Sequence, residues 1–194
     1  MVERLKPQLA ITPVSWDKPT DEVFKLNVDG CFKGNPGSAG CGGILRDHLG
    51  QLIIAFSSYL GVTTNNYAEA QAIKTGLIWC IDHGFNTLEI ESDSLILIKM
   101  IKNDICASWE IKDFIDDIHS MLAHGSFQFN HILREGNIPA DLLANLTEHD
   151  KINAFFNDII SLPRKIIAIL ENDTRIRPNF RIRVRKNTFI FDPG

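Results

Sequence analysis

Four carboxylates stand where secondary-structure elements are predicted to begin or end, and together they could hold metal ions. Asp29 ends the alternating stretch FKLNVD, and Asp93 closely follows the alternating stretch TLEIE. Glu69 and Asp141 lie near the starts of two segments with helical periodicity, NNYAEA and NIPADLLA. Clustered carboxylates repel one another unless a cation lies among them. Two divalent ions about 4 Å apart would meet that need, activate a water and stabilise the leaving oxygen of a phosphodiester.

Each acid also has a purely structural interpretation. Asp29 could be a turn residue, and Asp93 could be the N-cap of its helix. Glu69 lies three residues after Asn66 and could complete a capping box. Asp141 could interact favourably with the dipole of its helix. Taken singly, these interpretations are as good as the metal hypothesis. Taken together, they do not explain why all four acids fall at ends that can share one edge of a sheet.

The periodicity of apolar residues predicts the element order β-β-β-α-β-α-α-β-α in the middle of the chain. The predicted strands are 24–29, 41–46, 51–59, 87–91 and 127–133. The predicted helices begin at 66, 93, 109 and 137. Three consecutive strands favour an antiparallel meander, and strands reached through helices favour parallel pairing. We therefore expect an α/β fold with a mixed five-stranded sheet flanked by helices.

Composition divides the chain into three parts. Residues 1–22 hold three prolines and little periodicity, so we expect a leader or linker. Residues 23–150 hold the predicted sheet domain. Residues 151–194 are expected to form a helical extension, with a helix from Arg164 to Glu171, and a basic C-terminal tail. Alternation of arginine with apolar residues in that tail fits a basic-faced strand or a solvated segment, and we favour an ill-ordered segment.

Charge is distributed unevenly along the 194 residues, whose net charge is −4. Residues 21–150 contain 8 Lys and Arg against 18 Asp and Glu, whereas residues 161–194 contain 8 against 3. An acidic body suits divalent cations and is a poor passive binder of phosphate. The basic end is the better candidate for contact with nucleic acid or another acidic partner.

Other patterns exclude several classes of protein. The charged N-terminus does not resemble a signal peptide, and no apolar run approaches the ~18 residues of a membrane helix. We therefore expect an intracellular protein of cytoplasm or nucleus, monomeric and without a membrane partner. No phosphate-loop GxxxxGK[ST] motif occurs. The cysteines are scattered without a CxxC pair, which predicts free thiols and no zinc site; they are Cys31, Cys41, Cys80 and Cys106.

Four segments together resemble the motifs of the ribonuclease H family in order and spacing. They are NVDGCFKGNPGSAGCGGIL, TNNYAEA, ESDS and NIPADLLA, and the likeness extends over about residues 24–147. Plant ribonuclease H-like domains related to retrotransposon reverse transcriptases open with W…KLNVDG, which Trp16 and residues 25–30 match. The resemblance implies a ribonuclease H-like fold. It places the family's catalytic, metal-binding acids at Asp29, Glu69, Asp93 and Asp141.

The resemblance also implies an RNA/DNA hybrid as the nucleic-acid partner, recognised by shape and by RNA 2′-hydroxyls. Substrate-contact positions of the family fall on Cys31, Asn35, Thr64, Asn65 and Asn66. Many members carry a Gly-His pair after the fifth strand; here the segment reads HILREGN, and Arg134 is the candidate for a substitute cation. The basic protrusion of bacterial members is missing, which predicts weak affinity for substrate unless the basic C-terminus compensates.

The resemblance favours a metal-dependent endonuclease that cuts the RNA strand of RNA/DNA hybrids by a two-metal mechanism. The expected ends are 5′-phosphate and 3′-hydroxyl, and the expected cofactor is Mg²⁺, with Mn²⁺ as a substitute. Retention of all four acids supports activity. The alternative is a catalytically weak or inactive nucleic-acid-binding module derived from a retroelement. A DnaQ-like exonuclease shares the fold class but expects DxE in its first strand, where this chain reads Asp29-Gly30-Cys31.

Overall fold

Eight strands and five α-helices make up the described part of the chain. The computed structural model describes residues 8–34, 37–151 and 153–185. In order, the elements are β1 (Gln8–Val14), β2 (Phe24–Gly34), β3 (Gly37–Arg46), β4 (Leu52–Thr63), α1 (Asn65–Asp82), β5 (Thr87–Ser92), α2 (Leu95–Ile101), α3 (Lys112–Met121), β6 (Ser126–His131), α4 (Ile138–Asp150), β7 (Ala154–Phe156), α5 (Arg164–Thr174) and β8 (Asn179–Arg185).

A mixed sheet with the strand order β6-β5-β2-β3-β4-β7 forms the centre of the fold. Strands β2, β3 and β4 make the expected antiparallel meander, and β5 and β6 continue the sheet in parallel beside β2. The α/β fold class is therefore confirmed. The expected number of five strands is wrong, because β7 pairs with the outer edge of β4. A strand of three residues is too short to reveal itself by alternation.

Helices cover both faces of this sheet. Strand β2 alternates between the faces, so Leu26 and Val28 enter the core beneath α1, α2 and α3. A second, smaller core lies on the other face, where Leu143 of α4 packs with Ile166 and Leu170 of α5. Among the described residues no helix is both long and apolar enough to cross a membrane. No disulfide bond joins the described cysteines, which are Cys31, Cys41, Cys80 and Cys106.

Segments that precede and follow the sheet domain in sequence pack against it through a buried polar cluster. The guanidinium of Arg46 is fully buried and pairs with Asp173 of α5 at 2.8 Å. It also stacks on Trp16, 3.4 Å from the ring centroid. The indole of Trp16 donates to the Asn27 side chain at 2.8 Å, and Arg46 donates to the same oxygen at 2.9 Å. The Trp16 segment is therefore part of the core, and the expectation of a leader or linker is wrong for it.

Strands β1 and β8 pair with each other in an antiparallel two-stranded sheet, which we call the terminal ribbon. The expectation of an ill-ordered tail is thus wrong for residues 179–185. The expectation failed because the two strands are far apart in sequence. The local pattern of β8 does not identify β1 as the partner that orders it. The predicted leader residues 1–7 and tail residues 186–194 lie outside the described residues.

Replacement of Asp173 by alanine should destabilise the whole fold. The substitution leaves the Arg46 guanidinium buried and without its carboxylate, which costs about 3–5 kcal/mol in comparable buried pairs. We expect a matching loss in the free energy of unfolding, measured by urea denaturation of the full chain. Glu171→Ala, at an exposed position of the same helix, is the control and should change little. A loss below about 1 kcal/mol for Asp173→Ala would contradict this role of the pair.

Candidate metal centre

Three of the four predicted acids come together at one edge of the sheet. Asp29, Glu69 and Asp93 each offer an oxygen, and these atoms all lie within 4.8 Å of one another. In the parallel pairing of β2 with β5, Val28 lies opposite Ser92, so the next residues, Asp29 and Asp93, are at the same level. Asp29 and Glu69 are buried, and Asp93 is half-buried. The strand register therefore explains why Asp29 and Asp93 converge.

Two glycines let helices approach the sheet closely at this level. A Cβ at Gly30 would lie 2.5 Å from the backbone nitrogen of Glu69, so α1 rests directly on β2. On β3, a Cβ at Gly42 would lie 2.3 Å from the backbone nitrogen of Ala144 in α4. Gly42 is the cross-strand partner of Asp29. The glycines thus bring Glu69 and the first turns of α4 close to Asp29.

Electrostatics at the three acids favour a bound cation. Burial, and then repulsion from Glu69 and Asp93, raises the pKa of Asp29 to about 10. Burial, and then repulsion from Asp93, raises the pKa of Glu69 to about 8, against opposing hydrogen bonds. Among the described residues, Glu69 Oε2 is buried with no hydrogen-bond partner. Three converging carboxylates are the hard oxygen ligands that Mg²⁺ and Mn²⁺ accept, so the residues fit a divalent metal.

Asp141 lines the same cavity but is engaged with Arg134. Arg134 lies in a short 3-10 turn, residues 134–136, and its guanidinium forms an ion pair with the carboxylate of Asp141. The hydrogen bond to Asp141 raises the pKa of Arg134, so the guanidinium keeps its charge. Asp141 is in the first turn of α4, a position that also fits the helix-dipole interpretation. The turn therefore brings one fixed positive charge to the acidic cavity.

The structure excludes the other three structural interpretations of the acids. Asp29 lies inside β2, which continues for five more residues, so it neither ends its strand nor occupies a turn. The N-cap of α1 is Thr64, which puts Glu69 too far into the helix for a capping box. The N-cap of α2 is Ser94, so Asp93 is not the N-cap.

The predicted substrate contacts are only partly assembled around the acids. A cavity of about 470 Å³ holds all four acids, and its lining includes Cys31, Asn65 and Arg134. Thr64 instead accepts a hydrogen bond from the backbone of Tyr67 at 3.4 Å as the N-cap of α1. Asn66 is half-buried and is not among the described residues that line the cavity. Asn35 lies outside the described residues.

Two asparagines that lie near the cavity were not identified from the sequence. Asn145 lines it and donates to the backbone oxygen of Asp141 at 2.7 Å. Its spacing of four residues from Asp141 on a helix was a usable signal. Asn137 is buried and donates to the backbone oxygen of Val28 at 2.9 Å, which ties the start of α4 to β2 beside Asp29. No local pattern predicts that contact, because its partners are distant in sequence.

Comparison with known proteins agrees with this fold. A family model described as reverse transcriptase-like matches residues 27–147. A protein of Arabidopsis thaliana named after ribonuclease H is 29% identical over 167 residues, which cover 83% of this chain and 26% of that protein. Ribonuclease HI of Halobacterium salinarum is 28% identical over 125 residues, 60% of each chain. The chain therefore spans less than two-thirds of the length of either relative.

Solved structures add a likeness in three dimensions. Ribonuclease H1 of Halobacterium salinarum superposes with a TM-score of 0.64 at 27% identity, covering 66% of this chain and 98% of the other. LC11 ribonuclease H1, obtained from compost by a metagenomic approach and solved with an RNA/DNA hybrid, gives 0.60 at 28% identity, covering 63% and 94%. The family match takes in well over half of the 194 residues. The chain belongs to the reverse transcriptase-like family of ribonuclease H domains.

Proposed function

We propose that this chain is a metal-dependent endonuclease that hydrolyses the RNA strand of RNA/DNA hybrids. The observation that carries the proposal is the convergence of Asp29, Glu69 and Asp93 within 4.8 Å, in a cavity that Asp141 and Arg134 also line. Family membership supports the reaction type. The likeness to LC11 ribonuclease H1, which was solved with an RNA/DNA hybrid, supports the substrate class.

Mg²⁺ is the proposed metal, and Mn²⁺ is the proposed substitute. Asp29, Glu69 and Asp93 would hold it, and Asp141 is the candidate for a further ligand. When bound in a pair, such ions supply an activated water and stabilise the leaving oxygen of the phosphodiester, which gives 5′-phosphate and 3′-hydroxyl ends.

The side chains around the acids would bind and orient the hybrid. The Arg134 side chain is 73% exposed at the cavity, so its planar guanidinium can donate to a phosphate as well as to Asp141. Asn65 brings an amide from the first residue of α1, and an amide can both donate to and accept from a ribose 2′-hydroxyl. Asp29 and Glu69 are buried, so interactions between charges at these two carboxylates are stronger than in bulk water.

Loss of one acid should remove cleavage and leave the fold intact. We expect the wild type to cut a labelled RNA/DNA hybrid in Mg²⁺ or Mn²⁺, and to leave single-stranded RNA and double-stranded DNA uncut. Asp93→Asn should lower the rate by about 10²-fold or more, the usual cost of removing an electrostatic stabiliser. Asp104→Asn, an exposed acid outside the cavity, is the matched control. A folded wild type that cuts nothing in either metal would instead favour the inactive nucleic-acid-binding module.

Neutralising Asp29 should stabilise the protein when no metal is present. Its pKa is about 3.8 in the unfolded chain and about 10 in the folded one, so the folded state holds the proton longer. The free energy of unfolding therefore falls as pH rises between these values. We expect Asp29→Asn to unfold at a higher temperature than the wild type in EDTA, by a margin that grows from pH 5 to pH 9.

Metal should reverse this order. Mg²⁺ or Mn²⁺ should raise the unfolding temperature of the wild type, because it binds only the folded state, and raise that of Asp29→Asn much less. Both variants are measured by thermal unfolding with and without metal, and Asp104→Asn should behave as the wild type does. An equal response of wild type and Asp29→Asn to metal at every pH would contradict the assignment of Asp29 as a ligand.

A further inference from the structure

The terminal ribbon presents a basic face and an apolar face. Its register pairs Thr12 with Arg181 and Ala10 with Arg183. Residues two apart along a strand project on the same side, so both arginines share one face. The opposite face carries exposed apolar side chains: Leu9, Ile11, Phe180, Ile182 and Val184. The ribbon therefore separates positive charge from apolar surface.

The basic face is anchored to the turn that bears Arg134. Arg181 Nε lies 3.7 Å from Glu135 Oε1, and the Asn179 side chain donates to the Glu135 backbone oxygen at 2.8 Å. Glu135 directly follows Arg134, whose guanidinium pairs with Asp141 in the cavity. Because consecutive Cα atoms are about 3.8 Å apart, the basic face begins beside the rim of the cavity.

Positive charge is concentrated toward this end of the chain. Residues 21–150 carry 8 Lys and Arg against 18 Asp and Glu, so the body repels a polyanion. The two strands of the terminal ribbon carry three arginines and no acid. A duplex carries about one charge per 1.7 Å of its axis, and contacts to its phosphates supply most of the affinity of non-specific binding. The ribbon therefore offers positive charge that attracts a duplex, whereas the acidic body does not.

The spacing of the arginines also suits a nucleic-acid backbone. Positions two apart on a strand are about 6.6 Å apart, so the two arginines can contact separate phosphates of one backbone. Arg183 is exposed, while Arg181 is half-buried at the anchor. We propose that the basic face of the terminal ribbon binds the phosphate backbone of the hybrid beside the cut site. This inference rests on the proposed function and adds a second contact surface to it.

Salt-dependent binding tests the proposal independently of cleavage. Binding of a labelled RNA/DNA hybrid is followed by fluorescence anisotropy in EDTA between 50 and 300 mM salt, so that nothing is cut. The variant Arg181→Gln/Arg183→Gln should weaken binding by about tenfold at low salt. It should also reduce the slope of log K against log salt by about 2, because each lost phosphate contact removes about 0.9.

Two further variants keep the outcome interpretable. Arg164→Gln/Lys165→Gln removes the same charge from exposed positions at the start of α5, and it should bind as the wild type does. Arg183→Gln alone spares the anchor at Glu135, and it should reduce the slope by about 1 even if the double variant unfolds.

The outcomes separate the two proposals. If the wild type binds hybrid and the ribbon variants keep its affinity and slope, the ribbon proposal is wrong and the proposed function stands. An equal loss in the α5 variant would also overturn it, because the effect would then be one of net charge. If the wild type neither binds nor cuts hybrid, the proposed function and the ribbon proposal both fail.

Discussion

The site depends on direct contact between the backbone of α1 and β2 at Gly30. Only a residue without a Cβ permits this contact, since a Cβ would lie 2.5 Å from the nitrogen of Glu69. The contact buries Glu69 beside Asp29, and burial raises the pKa of both carboxyls. The charged forms are then stable together only with a cation among them. One packing contact thus determines the geometry of the site and places its carboxylates so close together that a cation stabilises their charged forms.

The elements of the central sheet could be predicted because their signals are local. Strands β2, β5 and β6 show alternation, β3 and β4 contain short apolar runs joined by a turn with Asp and Gly, and helices α1 to α4 show helical spacing. Strand β7 has three residues, and the terminal ribbon joins two strands at opposite ends of the chain. Strand β7 leaves no local signal, and the alternation within β8 does not identify its partner β1. The burial of Arg46 could not be predicted either, because it depends on Trp16 and Asp173, which precede and follow the central sheet in sequence.

For the site, the motifs identified the acids but not their partners. The sequence predicted which elements carry Asp29, Glu69 and Asp93. The sheet register brings Asp29 and Asp93 together, and the contact at Gly30 adds Glu69. It could not predict that Asp141 pairs with Arg134, because that contact depends on the turn at 134–136. A hydrogen bond from Asn179 fixes this turn, and the strand that carries Asn179 was expected to be ill-ordered. Prediction of side-chain partners therefore failed where those partners depend on contacts between residues distant in sequence.

The register of the terminal ribbon sets where the polypeptide enters and leaves this unit. Gln8 lies opposite Arg185, and paired residues of antiparallel strands have Cα atoms about 5 Å apart. Entry and exit are therefore side by side. A longer polypeptide could carry residues 8–185 as an insertion within one surface loop, with little separation of the two ends of that loop. The same closeness makes the unit suitable for circular permutation, in which the old ends are joined by a short linker.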